Sequence, residues 1–174
     1  MPFETLIVLA AQAAKISAPL LLAICTQETG LQNKITLQDG KTSSYGICQI
    51  KLGTARSMGY RGGPKGLMDP KTNANFAALY VKFQLEKYGD WCKATAAYNA
   101  GRYNESQKSP GYPKNLKYVR KVQKRLEKGL QEKLSCDINK DYERNGTRLR
   151  IHSAKPKDNP NRRSCIQPKK CRTP

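Results

Sequence analysis

The chain has 174 residues, the length of one domain with a polar extension, and 38% of its residues are hydrophobic. A domain of this size can bury a core without help from a metal or a disulfide. The formal net charge of +19 must lie on the surface, because no core holds such an excess of cations. A surface this basic attracts polyanions, and nucleic acid, anionic lipid and acidic wall polymers all qualify.

The positive charge is concentrated in the second part of the chain. Residues 1–101 contain 11 Lys and Arg against 6 Asp and Glu, a net charge of +5. Residues 102–174 contain 21 against 7, a net charge of +14. The C-terminal part therefore carries most of the excess on fewer residues.

The N-terminal part predicts two helices. Apolar residues recur at helical spacing over residues 3–14. Ser17 and Pro19 are typical of the start of a second helix, and Gly30 is typical of its end. Polar residues and Pro19 interrupt the apolar run over residues 6–24, which therefore predicts core helices and no membrane span. The first residues lack the basic region of a signal peptide.

The middle of the chain alternates turns and helices. Residues 31–46 predict a loop with at most a short extended piece, and residues 51–58 predict a short helix. Residues 59–66 hold four glycines and a proline and predict a turn-rich connection. Aspartate caps and glycine stops predict two further helices, from Asp69 to Gly89 and from Asp90 to Gly101. A looser stretch with Pro110 and Pro113 follows.

The last predicted helix has an apolar stripe, and its other faces are rich in Lys and Arg. The stripe consists of Val119, Val122, Leu126, Leu130 and Leu134. Residues 154–174 contain four prolines and almost no large apolar residue, so they predict a flexible basic tail. No region shows sustained strand alternation. We therefore expect a mainly α fold, with a helical domain over residues 1–134 and a basic tail over residues 135–174.

Glu28 is the most informative single residue. The apolar face of the second helix leads through Ile24 and Cys25 to position 28, which places a carboxyl on the buried side beside a polar loop. Burial raises the pKa of a carboxyl, which keeps its proton available for general acid catalysis. On position alone, a glutamate at a helix end that reaches solvent is the commoner case.

Two further segments accompany this glutamate. In the first, Gly46 allows close approach of the backbone, and Gln49 places one amide within an apolar run. In the second, Tyr98 and Asn99 place a phenol and an amide at a helix end stopped by Gly101. Alone, each segment is also compatible with a purely structural role.

Taken together and in order, these segments resemble the soluble lytic transglycosylase family, which is related to goose-type lysozyme. The resemblance covers roughly residues 4–126 and rests on six motifs: Ile24–Gly30, Gly46–Ile50, Leu67–Pro70, Tyr88–Trp91, Ala97–Gly101 and Tyr118–Val119. It implies a lysozyme-like helical domain with a cleft, and an enzyme that cleaves the glycan strands of peptidoglycan.

The resemblance also implies a role for each matching residue. Glu28 would be the catalytic acid and then the base. Gln49, Tyr98 and Asn99 would line the sugar cleft, and Tyr118 would bind and orient the Glu28 carboxyl.

This chain departs from the family pattern at two positions. Thr29 stands where the family usually has Ser, so the hydroxyl beside the substrate is kept and a methyl group is added. Cys48 stands where it usually has Met, which reduces an apolar contact with the sugar. A disulfide between Cys25 and Cys48 and a pair of small core thiols fit the sequence equally well.

The resemblance favours a transglycosylase over a hydrolase. Glycoside hydrolysis ordinarily uses two carboxylates, and between Glu28 and Asp69 the sequence offers only Asp39, in a turn. One acid suffices if the C6 hydroxyl of MurNAc attacks C1, which cleaves the MurNAc–GlcNAc β-1,4 bond and forms 1,6-anhydro-MurNAc. A lysozyme that uses Asp39 as the second carboxylate is the alternative.

Peptidoglycan is the expected partner, and the tail would bind anionic wall polymers or lipopolysaccharide. A basic nucleic-acid-binding protein is the main alternative from another class, but no recognisable binding module supports it. A wall-binding protein without catalysis is disfavoured by Glu28. We expect a monomer that acts on the cell wall, in the periplasm or outside the cell. Without a clear signal peptide, delivery by a phage or a secretion system fits.

The remaining cysteines do not indicate a metal site. The six cysteines permit three disulfides but fix no pairing. Cys136, His152, Cys165 and Cys171 lack the paired spacing of common zinc sites. We therefore expect no metal and no cofactor.

Overall fold

The computed structural model describes residues 1–39 and 42–129. The predicted tail, with Cys136, His152, Cys165 and Cys171, lies outside these residues. So do Leu130 and Leu134 of the last predicted apolar stripe. The domain boundary expected after residue 134 therefore stays a prediction.

Two helices open the chain, as the sequence predicts. Helix α1 covers Phe3–Ala14 and helix α2 covers Ala18–Thr29. The side chain of Ser17 accepts a hydrogen bond from the N–H of Leu20 at the start of α2. Gly30 ends α2 with a φ of +65°, a conformation that glycine adopts at low cost.

A small antiparallel sheet occupies most of the segment for which a loop was predicted. Strand β1 covers Ile35–Asp39, β2 covers Thr42–Tyr45 and β3 covers Ile50–Lys51, in the order β1-β2-β3. The prediction allowed a short extended piece but not two paired strands. The strands were not recognised because β1 exposes Ile35 and Leu37 on one face, so no buried stripe marks it in the sequence.

Of the four central helical segments, the last two begin at their predicted aspartate caps. Helix α3 covers Leu52–Ser57, a 3₁₀ helix covers Pro64–Met68, α4 covers Pro70–Tyr88 and α5 covers Trp91–Ala100. The side chain of Asp69 accepts from the N–H of Thr72, and that of Asp90 from the N–H of Lys93, both at 2.8 Å. The turn-rich connection is confirmed, with the short 3₁₀ helix as its last part.

A two-stranded ribbon and a final helix complete the described chain. Strand β4 covers Glu105–Ser106 and pairs with β5, Ser109–Pro113. Both prolines of the predicted loose stretch lie in β5, which pairs with β4 alone among the described strands, and proline is tolerated in such an edge strand. Helix α6 covers residues 116–129.

Helix α4 is the centre of the core. It packs against α1, α5 and α2, and α1 also packs against α2. Helix α6 docks onto this core through the fully buried Val122, and the side chain of Val119 is fully buried as well. The fold is mainly α, as predicted. Within residues 1–39 and 42–129, no helix has the length and apolarity needed to cross a bilayer.

Candidate active site

A cleft of about 310 Å³ brings together the end of α2, the small sheet, α3, the middle of α4 and the end of α5. It gathers four of the sequence-predicted site residues: Glu28, Gln49, Tyr98 and Asn99. The other lining residues are Thr36, Ile50, Lys51, Thr54, Tyr80, Ala100 and Gly101.

Glu28 lies in the last turn of α2, half-buried at the border of the cleft. The next residue, Thr29, is the more deeply buried of the two, with 8% of its surface exposed. The carboxyl therefore lies between the apolar core and the polar cleft, rather than fully on the buried face. Gly30 ends the helix directly after Thr29, and the chain changes direction there. The side chain of Glu28 is therefore not covered by a further helical turn and lines the cleft.

The carboxyl of Glu28 accepts a hydrogen bond from the phenol of a tyrosine in the last described helix. The hydroxyl of Tyr118, in α6, donates a hydrogen bond to Oε1 of Glu28. Burial raises the pKa of Tyr118, and the nearby Glu28 charge and this hydrogen bond raise it further. The phenol thus stays protonated at neutral pH and acts as a donor to one oxygen of the carboxyl.

The turn between β2 and β3 forms the wall opposite Glu28. Its first residue, Gly46, has a φ of +77°, and its last, Gln49, has a φ of +53°. A Cβ at position 46 would overlap the side-chain amide of Asn73. Both the conformation and the close approach therefore require glycine at this position.

Asn73 organises this turn from the first helical turn of α4. The side chain is fully buried and donates to the carbonyls of Tyr45 (2.7 Å) and Leu67 (2.9 Å). Its Oδ1 accepts from the N–H of Cys48 at 2.9 Å. Buried backbone groups need such partners, so Asn73 fixes the path of the chain up to Gln49.

Gln49 is held by its own loop. Its Nε2 donates to the carbonyls of Gly46 (2.8 Å) and Lys34 (3.1 Å). These bonds use both hydrogens of the amide, so Oε1 is the atom suited to accept from a ligand in the cleft. The Gln49 side chain therefore stabilises its own loop through Nε2 and also presents Oε1 as an acceptor to the cleft.

Two side-chain hydroxyl groups hold the same turn by donating hydrogen bonds to its backbone carbonyls. The hydroxyl of Thr29 donates to the carbonyl of Ile47 at 2.8 Å, and that of Tyr98 donates to the carbonyl of Cys48 at 2.7 Å. Burial raises the pKa of Tyr98 well above its ordinary value, and the charge of Glu28 adds to this rise. Both hydroxyls are thus committed to backbone carbonyls, and Thr29 is not among the residues that line the cleft.

A disulfide joins the two walls directly. Cys25 of α2 and Cys48 of the turn are bonded, with an S–S distance of 2.02 Å and their Cα atoms 4.2 Å apart. Both residues are fully buried. Of the two possibilities that fit the sequence, the structure has the disulfide.

Asn99 reaches the cleft from the last turn of α5. Its Oδ1 accepts a hydrogen bond from Nδ2 of Asn115 at 2.9 Å, and the same nitrogen donates to the carbonyl of Ala96 at 3.0 Å. Asn115 thus fixes the orientation of the Asn99 amide. Since the oxygen of that amide is engaged, its nitrogen is suited to donate to a ligand.

Sequence reasoning missed Asn73, Asn115 and Tyr80. Asn73 had a detectable sign, since it is a polar residue four positions before the buried Ala77 on the apolar face of α4. Tyr80 lines the cleft and packs on Tyr98 with ring centroids 5.4 Å apart. Asn115 precedes α6 in the sequence, and no local pattern marks its contact with Asn99.

The cleft combines one acid with neutral hydroxyl and amide groups and one lysine. Such groups match the hydroxyl and acetamido groups of a sugar. In the described part of the chain, no three His, Cys, Asp or Glu side chains are grouped so that they could hold a metal ion. The arrangement is therefore suited to proton transfer to a bound glycan by Glu28.

The transglycosylase SLT domain family model matches residues 5–119. The fold is similar to that of lytic transglycosylase Slt from Pseudomonas aeruginosa, solved as an inactive mutant, with a TM-score of 0.57 and 19% identity. It is also similar to the 70 kDa soluble lytic transglycosylase SLT70 from Escherichia coli, with a TM-score of 0.50 and 23% identity. Each similarity covers 70% of this chain, but only 23% and 18% of those proteins.

A comparison with curated proteins gives no match. The family match nevertheless spans most of the described residues and includes the segments that build the cleft. The family resemblance predicted from the sequence motifs is confirmed. The chain belongs to the transglycosylase SLT domain family.

Proposed function

We propose that this protein is a peptidoglycan lytic transglycosylase that cleaves the MurNAc–GlcNAc β-1,4 bond, with Glu28 as its general acid and base. The observation that carries the proposal is the half-buried Glu28 carboxyl at the cleft, bound by the Tyr118 hydroxyl. The family assignment supports the same substrate class.

The proposed reaction has two proton transfers through one carboxyl. Glu28 donates its proton to the glycosidic oxygen as the bond between that oxygen and C1 of MurNAc breaks. The C6 hydroxyl of the same MurNAc forms a new bond to C1 and returns its proton to Glu28. The products are a GlcNAc end and a 1,6-anhydro-MurNAc end, and no water is consumed.

The lining of the cleft supports a mechanism with one acid. Among the described side chains that line it, Glu28 is the only carboxylic acid. Ordinary glycosidases place a second carboxyl within about 10 Å of the first. Because the sugar supplies its own nucleophile, a transglycosylase requires no second carboxylate.

The neighbouring residues divide into two proposed roles. Gln49 and Asn99 bind the sugar through the amide atoms that their structural hydrogen bonds leave available. Tyr118 orients the acid, whereas Thr29 and Tyr98 hold the turn that carries Gln49. In this proposal the hydroxyls of Thr29 and Tyr98 position the cleft wall, and Tyr98 also lines the cleft, as the resemblance implied.

We further propose that the protein acts on the wall, in the periplasm or outside the cell, as a monomer. Its excess of cations supports retention on anionic wall polymers or lipopolysaccharide. A phage or a secretion system could deliver such a chain, and bacteriolytic activity would follow from the same cleavage. These proposals rest on the net positive charge of the chain and on the location of the proposed substrate.

The role of the acid is tested by the substitution Glu28→Gln, which keeps the shape of the side chain and removes the exchangeable proton. We expect the rate of fragment release from purified peptidoglycan to fall by at least about 10³-fold. Glu4→Gln, on the exposed face of α1, is the matched control and should leave the rate unchanged. Comparable activity of the Glu28→Gln protein would overturn the assignment.

A further inference from the structure

We propose that the Cys25–Cys48 disulfide positions the catalytic acid against the Gln49 turn, so that the rate of glycan cleavage depends on the oxidation of this pair. The inference rests on the proposed function, because it concerns the same site. It makes Cys25 and Cys48 positioning residues, because both are fully buried and neither lines the cleft. The contact of residue 48 with the sugar that the family resemblance implied is therefore not part of this proposal.

The placement of the two cysteines carries this inference. Cys25 lies three residues before Glu28 on α2, about one helical turn away. Cys48 immediately precedes Gln49 in the turn. Their Cα atoms are 4.2 Å apart, so the bond is a direct covalent link between the segment that carries the acid and the segment that carries the amide.

Reduction of the Cys25–Cys48 disulfide would break the covalent link between α2 and the turn. A dithiol reductant supplies two electrons and two protons, the S–S bond breaks, and two thiols form while the dithiol becomes a cyclic disulfide. Two thiol sulfur atoms that are no longer bonded keep a van der Waals separation, which is greater than the length of a covalent bond between them. Because both residues are fully buried in a packed core, the extra space comes from a shift of the turn relative to α2.

Hydrogen bonds between the turn and α2, α4 and α5 explain why the fold would survive. Thr29 donates to the carbonyl of Ile47, Tyr98 donates to the carbonyl of Cys48, and Asn73 accepts from its N–H. These hydrogen bonds need no disulfide, and they keep the turn near α2. A small displacement of the turn therefore lowers the rate of the chemical step without unfolding the domain.

Dependence on this disulfide would make the enzyme most active in the compartment that contains its proposed substrate. Disulfides persist outside the cytoplasm, where peptidoglycan lies, and thiols are kept reduced inside the cell. The protein would therefore be less active in a reducing compartment and become fully active when the bond forms. The oxidation state of one buried cysteine pair would thus act as a switch.

The test compares the full-length protein in two states. It is purified under a dithiol reductant, and alkylation with peptide mass analysis verifies that Cys25 and Cys48 are thiols. A second portion is oxidised with glutathione disulfide until the Cys25–Cys48 peptide pair is detected. Kinetics on purified peptidoglycan fragments and far-ultraviolet circular dichroism are then measured for both states.

The double variant Cys25→Ala/Cys48→Met is the matched control. The larger methionine fills part of the space of the two sulfur atoms, and Cys92, Cys136, Cys165 and Cys171 remain. Any effect of the reductant that arises at those four cysteines is therefore present in the control as well.

We expect kcat of the wild type to fall by at least about tenfold on reduction, with KM changed less and the helical signal retained. The double variant should show the same rate in both conditions. Equal activity of oxidised and reduced wild type, an equal loss in the double variant, or loss of helical signal together with activity would each overturn the inference. An oxidised wild type without activity would instead contradict the proposed function, and this inference with it.

Discussion

The carboxyl of Glu28 receives its hydrogen bond from Tyr118, a residue 90 positions further along the chain. Without a donor, a carboxylate beside an apolar core turns toward solvent, because that solvates its charge. The phenol holds it at the cleft border. This single contact thus connects the last described helix with the proposed chemistry.

The substitution Tyr118→Phe tests that connection. It removes the hydroxyl and keeps the ring that packs on the core, so the fold should persist. A hydrogen bond to a charged group is worth about 1.5–3 kcal/mol, which predicts a fall in kcat/KM of about 10- to 100-fold. The half-buried Tyr112 of β5 provides a control, since Tyr112→Phe should change the rate little. Equal rates for the two variants would exclude an orienting role for Tyr118.

The two buried phenols also predict how stability depends on pH. Burial raises the pKa of both Tyr98 and Tyr118 above the ordinary value. Above a pH of about 10 the unfolded chain therefore loses protons that the folded chain keeps, and the free energy of unfolding falls as pH rises. Below that pH the two groups add no pH dependence.

Urea unfolding at a series of alkaline pH values measures this effect. The wild type should lose stability above a pH of about 10, and Tyr98→Phe should lose less over the same interval. The variant will be less stable at neutral pH, because the carbonyl of Cys48 loses its donor. The decisive quantity is therefore the slope with pH, and identical slopes would show that Tyr98 ionises normally.

Among single residues, the sequence motifs predicted Glu28, Gln49, Tyr98 and Asn99 as cleft residues, and all four line the cleft. It did not reveal Asn73 or Asn115. Their partners are mostly backbone carbonyls or amides distant in the chain, and such contacts exist only once the fold has formed. A local pattern can mark Asn73 as an unusual polar residue on an apolar helix face, but it does not identify the partners of either asparagine.

Among the elements, the turn between β2 and β3 is the most tightly constrained. Gly46 lies at a positive φ and directly against Asn73. A methyl group there meets both backbone strain and a steric overlap with a buried side chain that already makes three hydrogen bonds.

Gly46→Ala should therefore lower the free energy of unfolding by more than about 2 kcal/mol. Gly53 offers a matched control in α3, where an added Cβ has no atom within 4 Å. There, Gly53→Ala should be neutral or stabilise the protein by up to about 1 kcal/mol. Both values follow from chemical denaturation, and equal effects at the two positions would contradict the described turn.

Helices were predictable from the sequence, whereas the small sheet was not. Ser17, Asp69 and Asp90 cap their helices within three residues, so the information is local. The pairing of β1 with β2 depends on contacts between segments, and the exposed Ile35 and Leu37 obscure the alternation. Short strands of this kind leave too weak a pattern to detect.

For the whole molecule, the concentration of positive charge in residues 102–174 is the main feature that the proposed reaction in the cleft does not require. Deletion of residues 136–174 should weaken binding to intact walls at low salt, by about tenfold, since long-range attraction to polyanions falls with the cation count. Activity on short soluble fragments should be unchanged. Sedimentation with purified walls over a range of salt concentrations measures this, and unchanged binding would exclude a role for that segment in retention.

The nature of the released ends tests the central proposal most directly. Purified peptidoglycan is digested in ¹⁸O-labelled water, and the fragments are analysed by mass spectrometry. A transglycosylase with Glu28 as its only acid predicts 1,6-anhydro-MurNAc ends without label, lighter than hydrolytic ends by one water. Reducing ends that carry ¹⁸O would contradict this mechanism and indicate a lysozyme, for which Asp39 would be the first candidate as the second carboxylate.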